Sequence, residues 1–242
     1  MRKHRFFLPI EISTDQHLEF DKDLSHQILN VLRLKIGDEI FLFNNTGFEF
    51  TAEIAHVNRK IVTVNVLCST NNSLESPCQI NLGQVLGKGE KMDMIIQKAT
   101  ELGVHSITPL FSEHSVIKNI ADRIANKQEH WQKIANAACS QCWRTITPVI
   151  HPAQDLATWI NNNNDPLKLL LSPGDNALKL KDVPLLSPVS ILIGPEGGFS
   201  EAEVQLASIN NFTHVSLGPR ILRTETAGIA VIAILQSLIG DI

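Results

Sequence analysis

The sequence predicts an α/β protein built as a small β-barrel followed by a mostly parallel α/β domain. Short strands dominate as far as Cys68, a polar turn-rich stretch runs from Ser69 to Pro77, and strands then alternate with helices. The chain has 242 residues, 43% of them hydrophobic, which is enough for two modest cores. We therefore predict domains at 1–70 and 79–242, joined by a linker at 71–78.

The first part has a strand-rich pattern with one helix. The predicted strands are Arg5–Leu8, Glu39–Phe43, Phe48–His56 and Lys60–Cys68. Apolar and polar residues alternate within the last two, as expected for strands with one buried face, and Asn44–Gly47 indicates a hairpin turn. One helix is predicted over Asp23–Leu34. The predicted core face of this helix comprises Leu24, Ile28, Val31 and Leu32.

The second part alternates strands and helices, which predicts a mostly parallel sheet covered on both faces. The predicted strands are Gln79–Leu86, Ser106–Phe111, Lys168–Ser172, Val189–Gly194 and Thr213–Leu217. The predicted helices are Glu90–Leu102, Ile120–Cys142, Asp155–Asn161, Glu201–Ile209 and Thr224–Leu238. Two helix ends have specific signals. Gly103 is typical of a helix C-terminus, and Ser200 with Glu203 forms a capping box that ends the preceding loop at Phe199.

Charge and hydropathy exclude two broad classes. The formal net charge of -4 excludes a globally basic nucleic-acid binder, so any phosphate contact must come from a local patch. The most apolar segment, Ala227–Leu235, is far shorter than the ~20 residues that span a bilayer. The N-terminus is basic and then apolar, and its apolar part, from Phe6, is too short for a signal peptide. We predict a cytoplasmic protein with no membrane segment.

The cysteines suggest redox or zinc chemistry only at Cys139 and Cys142, which form a Cys-x-x-Cys pair. The pair lies near the end of a predicted helix, where the helix dipole opposes thiolate formation. A zinc site would need a second matching pair, which Cys68 and Cys78 do not supply. Reduced structural thiols and no bound metal are the favoured interpretation.

Three loops rich in glycine and proline follow predicted strands, at Ser172–Asp175, Gly194–Phe199 and Gly218–Arg220. Each alone is typical of a strand-to-helix turn, but ligands of open α/β sheets bind at the carboxyl ends of the strands, so the three together predict a ligand site. Their glycine spacings match neither a dinucleotide site nor a phosphate loop. Within Leu217–Ala227, two arginines lie between a buried strand and an apolar helix, where a rigid scaffold positions binding groups.

These loops carry a family resemblance. Ile193-Gly-Pro-Glu-Gly-Gly-Phe-Ser200 and Leu217-Gly-Pro-Arg-Ile-Leu-Arg-Thr-Glu-Thr-Ala227 resemble the signature of the RsmE family, SPOUT-superfamily methyltransferases that make 3-methyluridine in 16S ribosomal RNA. Further matches span nearly the whole chain. They include Arg5-Phe6-Phe7, Val31-Leu32-Arg33, Lys88–Met92, Gln97–Gly103, Pro109–Glu113, Trp131–Ile134 and Arg144.

The chain departs from the family pattern in two places. Ser140-Gln141-Cys142-Trp143-Arg144 stands where the family usually has Glu-Gln-Ser/Cys-Gly-Arg, and His114 stands where an arginine is common. Trp143 replaces the smallest residue with the largest. We expect it to affect the local path before Arg144, and with it RNA docking, without touching the cofactor loops.

The resemblance implies a PUA-like barrel for RNA and a SPOUT domain with a deep trefoil knot that binds S-adenosylmethionine. It implies a homodimer that methylates N3 of uridine 1498 in the decoding region of the small (30S) ribosomal subunit, releasing S-adenosylhomocysteine and using no metal. The helix from Ala227 to Leu235 supports the dimer independently, because an all-apolar helix needs cover beyond its own sheet. The alternative is a helix wholly buried within one subunit.

The reaction leaves negative charge on the uracil ring, which arginine donors stabilise. Arg220 and Arg223 are the main catalytic candidates, with Arg5 and Arg33 as further ones. Glu196 or Glu225 could favour the sulfonium electrostatically, although Glu225 equally suits the first turn of its helix. The predicted cofactor residues are Leu171, Ser172, Pro173, Gly174, Ile193, Gly194, Pro195, Glu196, Gly197, Gly198, Leu217, Gly218, Leu222, Thr224, Glu225 and Ala227. The predicted RNA contacts are Arg2, Lys3, Arg5, Arg33, Lys88, Lys91 and Arg144.

Two rival functions remain open at this point. One is an RNA-associated binding module that keeps the fold without catalysis. The other is a different small-nucleotide enzyme that uses the same loops, against which the missing phosphate-loop spacings argue.

Overall fold

A computed structural model describes residues 4–72, 74–87, 91–115, 121–172 and 177–242, and the side chains of 121–126 lie outside this description. The chain divides into two compact units. The first unit comprises Met1–Glu75 and Cys139–Thr147, and the second comprises Ser76–Ala138 and Pro148–Ile242. Within the described ranges, no helix combines the length and hydropathy needed to cross a membrane.

The first unit is built on a five-stranded sheet. Its strands are β1 (Arg5–Phe7), β2 (His17–Glu19), β3 (Glu39–Phe43), β4 (Phe48–Asn58) and β5 (Ile61–Asn71). They lie in the order β1-β3-β4-β5-β2, and all pairs are antiparallel except β1 with β3. The predicted alternation is confirmed, because Val62, Val64 and Val66 are buried on one face of β5. The sequence pattern missed β2, and β5 runs into the predicted linker.

The helix predicted over Asp23–Leu34 is shorter and irregular. An α-helix, α1 (Lys22–His26), begins at the Asp21 cap and continues as a π-helical turn over Gln27–Val31. The wider turn shifts the buried face away from a 3.6-residue period. Ile28 is fully buried as predicted, whereas Val31 is 64% exposed, so its assignment to the core was wrong.

The second unit is built on an eight-stranded parallel sheet. Its strands are β6 (Ile80–Val85), β7 (Ser106–Phe111), β8 (Val149–Ile150), β9 (Gln154–Asp155), β10 (Leu167–Leu171), β11 (Leu178–Lys179), β12 (Val189–Ile193) and β13 (Thr213–Ser216). The order is β11-β13-β10-β12-β6-β7-β8, with β9 also paired to β7. The five strands predicted from the sequence are present within one or two residues of the expected ends. The two-residue strands β8, β9 and β11 were missed, because they are too short to show a period.

The described residues of this part form five α-helices. They are α2 (Lys91–Glu101), α3 (Ala121–Cys142, whose last four residues lie in the first unit), α4 (Leu156–Asn162), α5 (Glu201–Ile209) and α6 (Thr224–Ile239). The capping box of Ser200 with Glu203 is present at α5, and Gly103 takes a positive φ of 82° after α2. These helix ends fix where the loops at the sheet edge begin and end.

Helix α6 packs against α2 and the sheet through Val231, Ile232 and Leu235, which are fully buried. Ile234 and Leu238 are 37% and 51% exposed. The alternative of a helix wholly buried within one subunit is therefore wrong, because α6 leaves apolar side chains uncovered.

Candidate functional site

The carboxyl ends of β10, β12 and β13 meet at one edge of the parallel sheet, and a cavity of about 390 Å³ opens there. The lining residues come from the ends of these three strands, the segments that follow them and the first residue of α2. They are Lys91, Leu171, Ser172, Ile193, Gly194, Pro195, Glu196, Val215, Ser216, Leu217, Gly218, Arg220, Ile221, Leu222, Arg223, Thr224 and Ala227. The cavity therefore lies where the glycine and proline loops predicted a ligand site.

Most of the described residues predicted to bind the cofactor line this cavity. Gly197, Gly198 and Glu225 do not, and Pro173 and Gly174 lie outside the described residues. Val215, Ser216 and Ile221 also line the cavity but were not predicted from the sequence, and Lys91 was predicted to contact RNA. The sequence did contain a signal for the first three, since Val215 and Ser216 end a strand at this edge and Ile221 lies between the two predicted arginines.

A buried hydrogen-bond chain holds the cavity wall. The Thr224 hydroxyl donates to the Gly194 carbonyl over 2.6 Å, and the Gln84 amide Nε2 donates to Thr224 Oγ1 over 3.0 Å. Gln84 is fully buried on β6. These contacts connect the start of α6 to the end of β12 through neutral groups, so the loop after β12 is fixed in place.

Glycine keeps the loop after β12 compact. A Cβ on Gly194 would lie 2.9 Å from the ring of Phe199, which is closer than real Cβ contacts. Gly218, which also lines the cavity, takes a φ of 120° that residues with side chains rarely adopt. The cavity lining therefore depends on glycine at both positions.

The charged side chains at the cavity form two groups. Arg220 and Arg223 are exposed, and within the described residues neither side chain forms an internal hydrogen bond or ion pair. Lys91 instead contacts two carboxylates, at 2.7 Å from Glu196 Oε1 and 3.3 Å from Glu225 Oε2. The prediction that Lys91 contacts RNA is therefore not supported by its position, because its ammonium is taken up by two internal partners.

Two other predicted RNA contacts are buried in the first unit. Arg5 is 5% exposed, and its guanidinium donates to Glu49 Oε2 over 2.7 Å and to the carbonyl of Cys139 over 2.8 Å. Arg144 is 6% exposed and donates from Nε and Nη2 to Glu75 Oε2. The burial and internal hydrogen bonds of these guanidinium groups do not support the predicted RNA contacts, nor a catalytic role for Arg5.

Arg33 is exposed, whereas Arg2, Lys3 and Lys88 lie outside the described residues. Trp143 takes a φ of 72°, a conformation that suits glycine. Its ring centroid lies 5.0 Å from Arg5 Cζ and 6.3 Å from the ring of Phe41. The tryptophan thus keeps a glycine-like backbone and covers the buried arginine.

The four cysteines are free, and Cys78 and Cys139 are buried. Hydrogen bonding with Cys142, together with burial, raises the pKa of the Cys139 thiol, which disfavours a reactive thiolate. The described residues include no group of three or more His, Cys, Asp or Glu side chains placed to hold a metal ion.

A second cavity, of about 320 Å³, lies at the amino edge of the same sheet. It is lined by polar residues at the starts of β6, β7 and β12 and by the segment before β10. Asp165 Oδ2 accepts hydrogen bonds from Asn81 Nδ2 over 2.8 Å and from Ser190 Oγ over 2.5 Å. The Ser106 hydroxyl donates to Asn81 Oδ1 over 2.7 Å. These polar groups therefore bond largely to one another.

Comparison with known proteins gives a consistent result. Residues 74–236 match the family model described as an RNA methyltransferase domain, and residues 20–67 match that of an RNA methyltransferase PUA domain. The chain is 38% identical over 239 residues to ribosomal RNA small subunit methyltransferase E of Buchnera aphidicola from Acyrthosiphon pisum, covering 98% of this chain and 94% of the relative.

Two solved structures are similar over their full length. A protein of Legionella pneumophila, solved in complex with S-adenosylmethionine, has a TM-score of 0.96 at 39% identity and covers 100% of both chains. Ribosomal RNA small subunit methyltransferase E of Neisseria gonorrhoeae, bound to S-adenosylmethionine, has a TM-score of 0.92 at 34% identity and covers 99% of both chains.

Proposed function

Because this chain belongs to the ribosomal RNA small subunit methyltransferase E family, we propose that it methylates N3 of a uridine in 16S ribosomal RNA, at position 1498. The methyl donor is S-adenosylmethionine, and no metal takes part. The observation that carries the proposal is the cavity at the carboxyl edge of the sheet, where glycine loops meet two exposed arginines.

The cavity residues fit the donor. A space of about 390 Å³ with mainly apolar walls suits an adenosine carrying an amino acid chain, and glycines bring the backbone close to it. Leu217, Leu222 and Ile193 supply apolar wall, while Ser172 and the loop after β12 supply polar groups. When bound, S-adenosylmethionine supplies an electrophilic methyl group on its sulfonium.

Arg220 and Arg223 provide the chemistry expected of the chain. Loss of the N3 proton spreads negative charge over the uracil carbonyl oxygens, and guanidinium groups at the cavity mouth stabilise that charge. The Thr224 and Gln84 contacts hold the wall against which the two reactants align. In this proposal Arg33, with Arg2, Lys3 and Lys88, contacts RNA phosphates.

We further propose that the second unit has the deep trefoil knot of the SPOUT superfamily. The strand order supports it, since β13 lies between β10 and β11 although those two strands are consecutive along the chain. The last residue of β10, Leu171, and the first residue of β11, Leu178, both pair with Val215 of β13, so all three strands come together at this sheet edge. Threading at this edge would also fold the chain into the walls of the donor cavity.

A homodimer completes the proposal. Ile234 and Leu238 form an exposed apolar stripe on α6, and Ile221 is 84% exposed beside the cavity arginines. A second subunit that covers this stripe would bury it and enclose the mouth of the site. We place the enzyme in the cytoplasm, acting on the assembled 30S subunit.

The test is mass spectrometry of 16S ribosomal RNA after 30S subunits lacking this modification are incubated with the purified protein and S-adenosylmethionine. We expect one added methyl group, located on N3 of the target uridine. Binding of 30S subunits without methylation would instead favour the rival function, an RNA-associated protein without catalysis.

A further inference from the structure

Lys91 lies between two carboxylates on one wall of the donor cavity. Its ammonium is 2.7 Å from Glu196 Oε1 and 3.3 Å from Glu225 Oε2. The three residues come from the start of α2, the loop after β12 and the first turn of α6. Their side chains are 31%, 37% and 11% exposed, respectively, so the cluster is partly shielded from water.

The Glu196 carboxylate of this charge cluster packs closely against neighbouring backbone. A Cβ on Gly87 would lie 3.0 Å from both carboxylate oxygens of Glu196, so the loop after β6 passes close behind that side chain. Hydrogen bonding to Glu196, with a contribution from Glu225, raises the pKa of Lys91. The lysine therefore stays protonated, and the cluster has one positive and two negative charges.

Basic side chains outnumber acidic ones among the described residues that line the cavity. Lys91, Arg220 and Arg223 line it, whereas Glu196 is the one acidic side chain among the described lining residues, with Glu225 behind Lys91. S-adenosylmethionine and S-adenosylhomocysteine have the same amino and carboxylate groups, and differ by a methyl group and one positive charge on sulfur. The two carboxylates are thus the groups that counter a cationic sulfur in this setting.

We infer that Lys91, Glu196 and Glu225 set the preference of the cavity for the sulfonium donor over the neutral thioether product. Glu196 attracts the sulfonium, and the Lys91 ammonium, 2.7 Å from Glu196 Oε1, limits the effective negative charge of that carboxylate. This inference rests on the proposed function for the identity of the donor. It adds a physical basis for releasing the product, which lacks the charge that the carboxylates attract.

The test measures the dissociation constants of both ligands by titration calorimetry at pH 8, with their ratio as the readout. Glu196→Gln removes a carboxylate, so the preference for S-adenosylmethionine should fall about fivefold, as expected for one partly screened charge. Lys91→Met should shift the ratio the opposite way, because it removes a cation. Lys91→Arg should restore the original ratio.

Glu101→Gln is the matched control, because Glu101 pairs with Lys98 over 2.9 Å on the same helix but does not line the cavity. Its ratio should equal that of the unmodified protein. Ratios that stay constant in the variants would overturn the inference, because a loosened loop weakens both ligands alike. Ratios that shift in the same direction for Glu196→Gln and Lys91→Met would also overturn it, because the two variants change the local charge in opposite directions. Failure of the unmodified protein to bind either ligand would instead contradict the proposed function.

Discussion

The two edges of the parallel sheet hold cavities of similar size and opposite character. At the carboxyl edge, a cavity of about 390 Å³ has glycine and proline loops, apolar walls and arginines without internal partners among the described residues. At the amino edge, a cavity of about 320 Å³ is lined by amide, hydroxyl and carboxylate groups that bond mainly to one another. Volume alone therefore does not distinguish a binding site.

The difference lies in where hydrogen-bonding and charged groups find their partners. Asn81, Asp165 and Ser190 satisfy one another, so their main contribution is to the stability of the sheet. Arg220 and Arg223 line the cavity with exposed side chains, so their guanidinium groups are available to a ligand. Substitutions at the carboxyl edge should alter function, and those at the amino edge should alter stability.

The largest effect is expected for Arg223→Ala, at the carboxyl edge of the sheet. We expect methyl transfer to fall by about 100-fold or more, because a donor to the developing charge is lost. Melting temperature should be unchanged, since the Arg223 side chain is exposed. Single-turnover methylation assays measure the effect, with the exposed Lys181→Ala as the control. Undiminished turnover would show that this loop charge is not catalytic.

Thr224→Val should have the next largest effect. It removes the hydrogen bonds to the Gly194 carbonyl and from Gln84, so both buried groups lose a partner. We expect S-adenosylmethionine affinity to fall about tenfold and stability to fall by about 2 kcal/mol. Calorimetry and urea unfolding measure the two effects. Thr226→Val, exposed on the same helix, should leave both values unchanged.

Asp165→Asn tests the opposite edge. The loss of a charged acceptor for Asn81 and Ser190 should cost about 1 kcal/mol of unfolding free energy. S-adenosylmethionine affinity should stay unchanged, and the exposed Asp182→Asn should change neither quantity. A loss of donor affinity comparable to that of Thr224→Val would show that the two edges are coupled.

The smallest expected effect is a pH dependence at the amino edge. Burial, followed by the nearby His105, lowers the pKa of His151, so the folded state favours the neutral ring. The unfolded chain then binds more protons below about pH 6.5, and stability should decline as the pH falls through that region. Urea unfolding at pH 7.5 and 5.5 should show a smaller decline for His151→Gln. An equal decline in both proteins would contradict this assignment.

Much of the fold could be predicted, because its signals are local. The alternation in β5, the capping box at Ser200 and the C-terminal Gly103 each depend on neighbours in the chain. The π-helical turn at Gln27–Val31 and the two-residue strands could not be predicted, because they depend on tertiary packing and their local sequence pattern is weak.

The loop residues that line the candidate site could be predicted from the sequence, whereas the ion pairs between residues distant along the chain could not. Gly194 and Gly218 are marked by their sequence context, and both line the cavity. Arg5 and Arg144 read as surface cations because the sequence does not reveal that Glu49 and Glu75 are their partners. The ion pairs of Lys91 could not be predicted for the same reason, since its carboxylate partners lie more than a hundred residues away along the chain.

The burial of Arg5 makes the first unit a discontinuous module. The carbonyls that accept from its guanidinium belong to Cys139 and Arg144, in a segment inserted from far along the chain. A gene fragment that ends at the linker would encode all five strands of this unit and omit the segment that covers the arginine. Exchanging the first unit between relatives therefore requires exchanging both of its pieces, Met1–Glu75 and Cys139–Thr147, together.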